Sequence, residues 1–337
     1  MKNPYISGKY LFRVGKFDII ARNIEIGDKT MTKQTSIKFH ILAIFCILIF
    51  CFSLTPVTFQ NDTYYSIAIG KHIVETGTID MQDPFSWHED LPYTYPHWLY
   101  DFGTYFIYQL GENIGIGGFC ALYITTILLA MILGVVIYYT NNKLSKNPLV
   151  SFLVTMCMMY LLKDFITARA QLVTYILFVL TILFIEQFIK TKKKRYAIYL
   201  LIIPILIANL HCAVWPFYFV LYLPYIAEYL LATMSEAHLY YWFQIQWNQK
   251  KLKKVTKKGK TEEIGKLQEK VARLQLDKEN AINTDRKRRE NPYKIIFKKE
   301  PVVKWLIVIM IIAIFSGLLT PLGTTPYTYL AKTMEGN

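Results

Sequence analysis

At 337 residues, 53% of them hydrophobic, with a mean hydropathy of +0.27, the chain is too apolar for a water-soluble domain of its length. The net charge of +14 does not mark a nucleic-acid binder, because Lys and Arg gather in the loops between apolar runs, which is how membrane topology is encoded. Runs such as Ile41–Val57 and Val302–Leu319 approach the ~20 residues that cross the hydrocarbon of a bilayer.

The expected fold class is an all-α polytopic membrane protein. Seven spans fit the apolar runs, at 37–56, 117–140, 148–162, 170–190, 196–212, 214–234 and 302–320. The first begins late and lacks a small-residue cleavage site, so it reads as an anchor and not as a cleaved signal peptide. Residues 1–40 carry eight Lys/Arg against three Asp/Glu, whereas 57–101 carry only Lys71 against seven acidic side chains. The basic segment 1–36 is therefore expected in the cytoplasm and the loop 57–116 outside.

That orientation requires Trp98–Leu110 to lie along the outer surface as an interfacial helix. Its shortness, Gly103 and the glycine-rich Gly111–Gly118 favour this. Lys143, Lys146 and the run from Lys190 to Arg195 then fall inside. The run 148–162 is short for a span, which suits little tilt or a partly re-entrant course.

The segment 236–301 also falls inside and reads as an insertion between the core 37–235 and the last stretch, 302–337. Residues 250–300 carry 18 Lys/Arg against 8 Asp/Glu. Ile264, Leu267, Val271 and Leu274 repeat at 3-4-3 spacing, the pattern of a cytoplasmic helical or coiled-coil hairpin, with self-association through the 262–282 helix as one consequence. The plainer reading is a solvated charged helix beside anionic lipid headgroups. The chain stops just past its last apolar run in a polar stretch, which reads as a truncation of a longer protein. Cys46, Cys51, Cys120, Cys157 and Cys212 lie in or beside apolar runs without metal-ligand spacing, so neither a disulfide nor a zinc site is expected.

Polar clusters fall on the expected outer side. Asn61 and Asp62 open a helix that runs to Gly77. Either could simply cap it, and the alternative makes Asp62 a carboxylate that takes a proton from an acceptor group. Asp83-Pro84 favours a turn, but Asp62, Asp83 and His97 are also the side chains from which a divalent cation, Mg or Mn, would draw ligands. His97 and Asp101 lie four apart on one helix face, a spacing that more often makes a surface hydrogen bond than a metal site. Lys163, Arg169, Gln171, Asn209 and His211 sit at helix ends near membrane depth, where charged and amide groups are costly. Arg169 is either a snorkelling interface residue or a planar fork for a phosphate. An outer pocket with carboxylates, Arg, Lys and aromatics such as Tyr65 suits a substrate that carries both a phosphate and a sugar.

These residues carry a resemblance. The pattern Asp62-x-x-Tyr65-x-Ile67-Ala68-x-Gly70-x-x-Ile73-x-x-x-Gly77, then Asp83-Pro84-Phe85-Ser86 and Trp98-Leu99, resembles the first outer loop of GT-C-type bacterial membrane glycosyltransferases. Arg169-Ala170-Gln171, Asn209-Leu210-His211 and Pro321-Leu322-Gly323 resemble the R-P-Q, N-x-H and P-x-G of one branch. The resemblance covers about 37–235 and 302–337. It departs from the pattern where His97 replaces a Glu before Trp-Leu and where Ala170 replaces a Pro.

The resemblance implies transfer of a sugar from a polyprenyl-phosphate donor to an acceptor at the outer face of the cytoplasmic membrane, with inversion. Asp62 would be the general base or acceptor-orienting group and Asp83 the second acidic position. Arg169 and Lys163 would meet the lipid phosphate, with Tyr65, His97, Asp101, Gln171, Asn209 and His211 around the substrate. The competing expectations are a transporter or flippase of lipid-linked glycans, against which stand the absence of an internal repeat and the gathering of charges at helix ends, and a noncatalytic membrane scaffold.

Overall fold

A computed structural model describes residues 33–88, 93–235, 238–256, 261–289 and 300–334. Most of the basic segment 1–36 and the last residues of the tail lie outside the described residues. Every regular element that is described is helical. The chain divides into two compact units, one of residues 31–223 with 302–337 and the other of residues 1–30 with 224–301.

The first unit holds the helices α1 (Lys33–Leu54), α2 (Asn61–Thr76), α3 (Trp98–Asn113), α4 (Gly118–Ser145), α5 (Pro148–Leu161), α6 (Ala170–Thr191), α7 (Lys194–Leu210) and α8 (Trp215–Val220). The helix α9 (Leu223–Ser235) leads out of it. After the second unit come α12 (Val303–Ile314) and α13 (Thr325–Met334).

Among the described residues, four helical stretches are long and apolar enough to cross a membrane: Ser36–Leu54, Gly118–Ser145, Ala170–Thr191 and Cys212–Thr233. Pro148–Leu161 and Val303–Leu318 are apolar but shorter, and α7 is in neither group, so four of the seven expected spans meet the length requirement. The expected interfacial segment, α3, has 16 residues and is not among the four. On α1 the large side chains Ile41, Phe45 and Phe52 are 65%, 59% and 54% exposed. A stripe of that kind is unfavourable against water and ordinary against lipid, so these helices belong in a bilayer.

The buried side of the same helix packs Ala43, Ile47 and Cys51 against Ala130, Leu133 and Ile137 of α4, Met159 of α5 and Leu172 of α6. Gly134 lets α1 come close, since a Cβ there would stand 2.7 Å from Cys51 Sγ. Buried hydroxyls bond back to their own helix, as Thr126 to the Leu122 carbonyl and Thr181 to that of Leu177. Bonds of this kind spare a hydroxyl the need for water at that depth, although Thr140 of α4, also buried, has no partner for its hydroxyl.

Outside this core, α2 lies on α3 and α3 on α4. The crossing of α2 and α3 is set at Gly70, where a Cβ would meet the Asp101 carbonyl oxygen at 2.1 Å and Tyr105 Cβ at 2.7 Å. Gly77 ends α2 in the left-handed region at φ 69°, its N–H donating to the Ile73 carbonyl. A small second core of Ile69, Ile73, Tyr95, Cys212 and Leu322 fastens this pair to the start of α8 and to the segment before α13. Cys212 N–H donates to the Pro96 carbonyl at 2.7 Å and Trp215 Nε1 to Ser316 Oγ at 3.0 Å.

In the second unit, α10 (His238–Thr256) and α11 (Thr261–Arg289) pack on one another as a hairpin. Ile264, Leu267, Val271 and Leu274 are half-buried among exposed neighbours, and they form the seam that their spacing predicts. The α10 side of that seam contains Ile245, Asn248, Leu252 and Val255, also three and four apart. Asn248 is buried and bonds to the Gln244 carbonyl at 2.7 Å.

Gly70→Ala should destabilise the detergent-purified protein by roughly 1–3 kcal/mol or more, because the added methyl overlaps a backbone oxygen that cannot rotate away. Gly103→Ala, where a Cβ meets nothing within 4 Å, should be neutral or stabilising by up to ~1 kcal/mol through helix propensity. Thermal unfolding midpoints of the two variants test this, and equal behaviour would remove Gly70 as the point that sets the crossing.

Candidate active site

The polar end of the first unit is built by the starts of α2, α3 and α6 and by the turn after α7. Gln60 precedes α2 and makes no side-chain capping bond, and Asp62 is the acidic side chain of the first turn. Asp62 forms an ion pair with Arg169 Nη2, and Arg169 Nη1 donates to Gln60 Oε1 at 3.0 Å. The backbone beneath is fixed by buried Thr63, whose hydroxyl donates to the Ala168 carbonyl at 3.0 Å. Arg169 stands in extended conformation just before α6, which brings its side chain back across the start of α2.

His97 stands just before α3, and its Nδ1–H donates to both carboxylate oxygens of Asp101, at 2.7 and 2.8 Å. Sequence reasoning favoured a surface bond for this pair. Asp101 is instead only 1% exposed, enclosed where α2 crosses α3. Burial pushes its carboxyl above the ordinary carboxylate range, while the bonds from His97 and Ser66 act in the opposite direction. His97 remains 26% exposed, with its ring 6.3 Å from that of His211.

His211 lies at the end of α7, its Nδ1 3.2 Å from the hydroxyl of Thr174. That hydroxyl donates its proton to the Ala170 carbonyl at 2.9 Å, so Nδ1 of His211 is the donor to Thr174 and Nε2 carries the lone pair.

These groups line one cavity of about 320 Å³, together with Tyr65, Ser66, Tyr93, Gln171 and Tyr329. Its size is at the small end of the ~300–1,000 Å³ of ligand pockets. Six of the ten residues singled out from sequence therefore meet: Asp62, Tyr65, His97, Arg169, Gln171 and His211. Asp101 supports the wall from behind.

The other three lie elsewhere. Asp83 accepts from the Phe85 N–H at 2.9 Å, the turn that its Asp-Pro sequence predicts, and does not line the cavity. Lys163 stands in a 3₁₀ turn with its ammonium 5.2 Å from the Tyr160 ring centre. Asn209 is a buried connector. It donates to the Ile205 and Leu319 carbonyls at 2.8 and 2.9 Å and accepts from Trp98 Nε1 at 3.2 Å. Among the described residues no group of three or more His, Cys, Asp or Glu is placed to hold a metal ion. Of the three side chains that suggested a cation, Asp62 and His97 line the cavity and Asp83 does not.

Sequence reasoning missed Gln60, Tyr93, Thr174 and Tyr329. Only Tyr93 had a signal, its place in an aromatic-rich loop. Burial pushes its phenol up to about 12, with the Asp101 carboxylate adding to the effect. Nearby, Asp80 braces the same loop by accepting from Tyr95 OH at 2.7 Å and approaching His72 Nε2 at 3.1 Å. The bond from Tyr95 is the main reason its carboxyl falls below the ordinary value.

No family model, curated protein or solved structure matches the chain.

The displaced carboxyl of Asp101 carries a pH dependence. Its folded-state pKa lies above the unfolded value near 3.8, so the folded form holds that proton longer. The stability this contributes is complete below the unfolded value and is lost as pH rises through the folded one. Unfolding midpoints measured from pH 3 upward should show wild type losing ground to Asp101→Asn as pH increases. A difference of the opposite slope would contradict the assignment.

Proposed function

We propose that the chain is a membrane glycosyltransferase that moves a sugar from a polyprenyl-phosphate donor to an acceptor at the outer face of the cytoplasmic membrane, with inversion. The single observation that supports this best is the convergence of Asp62, Arg169, two histidines and three tyrosines on one cavity, as a phosphorylated sugar requires. In this reading seven helices span, 57–116 lies outside and 236–301 lies in the cytoplasm against anionic headgroups.

The chemistry follows from the donors present. An acceptor oxygen attacks the anomeric carbon while the bond from that carbon to the phosphate oxygen breaks, and the phosphate leaves with the electron pair. Arg169 is the side chain suited to that growing negative charge. A guanidinium has five N–H donors, and Asp62 and Gln60 engage two, so the rest of the fork is free for a phosphate. The ion pair therefore aims Arg169 without using it up. The rings of Tyr65, Tyr93 and Tyr329 offer apolar faces and hydroxyls to the sugar.

Arg169→Gln should weaken binding of undecaprenyl phosphate by roughly 10–100-fold, the loss expected when one charged hydrogen-bonding partner is removed. Asp62→Asn should lower sugar transfer, by loosening the hold on Arg169, while the unfolding midpoint stays near that of wild type. Calorimetry and transfer from undecaprenyl-phosphate-linked sugars measure the two. Unchanged binding by Arg169→Gln would remove the phosphate from this cavity.

The orientation has its own test. In a background without the five native cysteines, Asp83→Cys should react with an impermeant maleimide from outside intact cells and Lys254→Cys only after permeabilisation. The reverse labelling would place the cavity on the cytoplasmic side.

A further inference from the structure

Two histidines face the cavity, and they are not equivalent. Each has Nδ1 committed to the protein, His97 to Asp101 and His211 to Thr174, so each offers Nε2 to whatever enters. A base that accepts a proton becomes an imidazolium. Behind His97 stands a carboxylate that contacts the ring through both oxygens and is enclosed by protein. Behind His211 stands a neutral hydroxyl whose own proton is already directed at a carbonyl. A cation on His97 is thus stabilised by a buried opposite charge, and a cation on His211 is not. Asp62 is the other group that could take a proton. Its carboxylate is already engaged by the Arg169 guanidinium, the contact that fixes where that cation points.

We propose that His97 is the group that removes the acceptor's proton, that Asp101 is its positioning residue, and that Asp62 serves chiefly to hold Arg169. This rests on the glycosyltransferase reading. In the step, Nε2 of His97 takes the proton from the acceptor hydroxyl or amide as the acceptor atom bonds to the anomeric carbon. The bond from that carbon to the phosphate oxygen breaks, and the phosphate departs with the electron pair. The part of the ring that remains exposed then returns the proton to water. Asp101 keeps the proton of the resting imidazole on Nδ1, so that the lone pair is on the nitrogen facing the substrate. Titratable groups from the other elements that share the cavity with His97 are Asp62 and Tyr65 of α2, Arg169 before α6, His211 after α7, Tyr93, and Tyr329 of α13; of these the His211 ring is 6.3 Å from that of His97.

The test uses the full chain in proteoliposomes, with undecaprenyl-phosphate-linked glucose, mannose and N-acetylglucosamine as donors and release of undecaprenyl phosphate as the readout. His97→Ala should lower kcat by about 10²–10⁴, the range for a lost general base, with donor KM little changed. Added imidazole should restore part of that rate, which also shows that the variant is folded. Asp101→Asn should lower kcat and, in ¹⁵N spectra of histidine-labelled protein, shift the resting His97 proton from Nδ1 toward Nε2.

Several results would overturn the assignment alone: His97→Ala turning over at the wild-type rate, no rescue by imidazole, or a tautomer unmoved by Asp101→Asn. A wild type that releases undecaprenyl phosphate from none of the donors would overturn both this assignment and the reading beneath it. Calorimetric binding of undecaprenyl phosphate, lost in Arg169→Gln but kept in His97→Ala, separates the phosphate site from the base.

Discussion

Helix α2 lies directly on the backbone of α3 because residue 70 has no side chain, and the rest of the polar end follows from that contact. The Asp101 carbonyl occupies the space a Cβ would need at Gly70, so the two helices close on each other and shut water away from the Asp101 carboxylate. A carboxylate enclosed in this way is costly unless something donates to it, and His97, one turn earlier, does so with Nδ1. Helix crossing, buried acid and histidine orientation are thus one arrangement. It places His97 on the same cavity as Arg169.

The two charged pairs of the site differ in kind. Asp62 with Arg169 is partly open to solvent, and the acid can be reached and the arginine redirected by an arriving anion. Asp101 with His97 is closed on one side, so the acid can act only through the imidazole. In the proposed reaction these two pairs would divide the work, the cationic fork receiving negative charge and the imidazole moving a proton. The resemblance to the glycosyltransferase loop, and not spacing, made Asp62 and Asp83 the leading pair. In the folded chain Asp83 serves its own turn, and the acid that stands behind the cavity wall, bonded to His97, is Asp101.

The second unit follows simpler rules. Its helices α10 and α11 meet along residues three and four apart, and the remaining described surface is exposed, largely charged but with Tyr240, Trp242, Phe243 and Trp247 open along the first half of α10. The hairpin needs little burial because charged side chains on its outer faces are well solvated, and the seam supplies what apolar contact there is. Asn248 in the seam of α10 resembles the buried polar residues that fix register between paired helices, at a cost in stability.

Much of this was legible in the residues themselves. Apolar runs announced the membrane helices because hydrocarbon tolerates no other composition, and the 3-4-3 spacing of Ile264, Leu267, Val271 and Leu274 announced the hairpin seam because a helix presents such residues on one side. The stop at Gly77 and the turn at Asp83 were readable for the same local reason. What sequence could not contain was distance. Arg169 and Asp62 are 107 positions apart, and His211 follows Asp101 by 110. Whether such groups meet depends on which helix faces pack, and that is decided by steric details such as the empty Cβ position at Gly70. Burial is also a property of the assembled helices: His97 and Asp101 look the same one turn apart on a wet surface or on an enclosed one. Composition and periodicity determined that helices form and cross a bilayer. Only tertiary packing decided that one acid is enclosed, one is shared with an arginine and one is left outside the cavity, since the energy of a charge depends on what surrounds it.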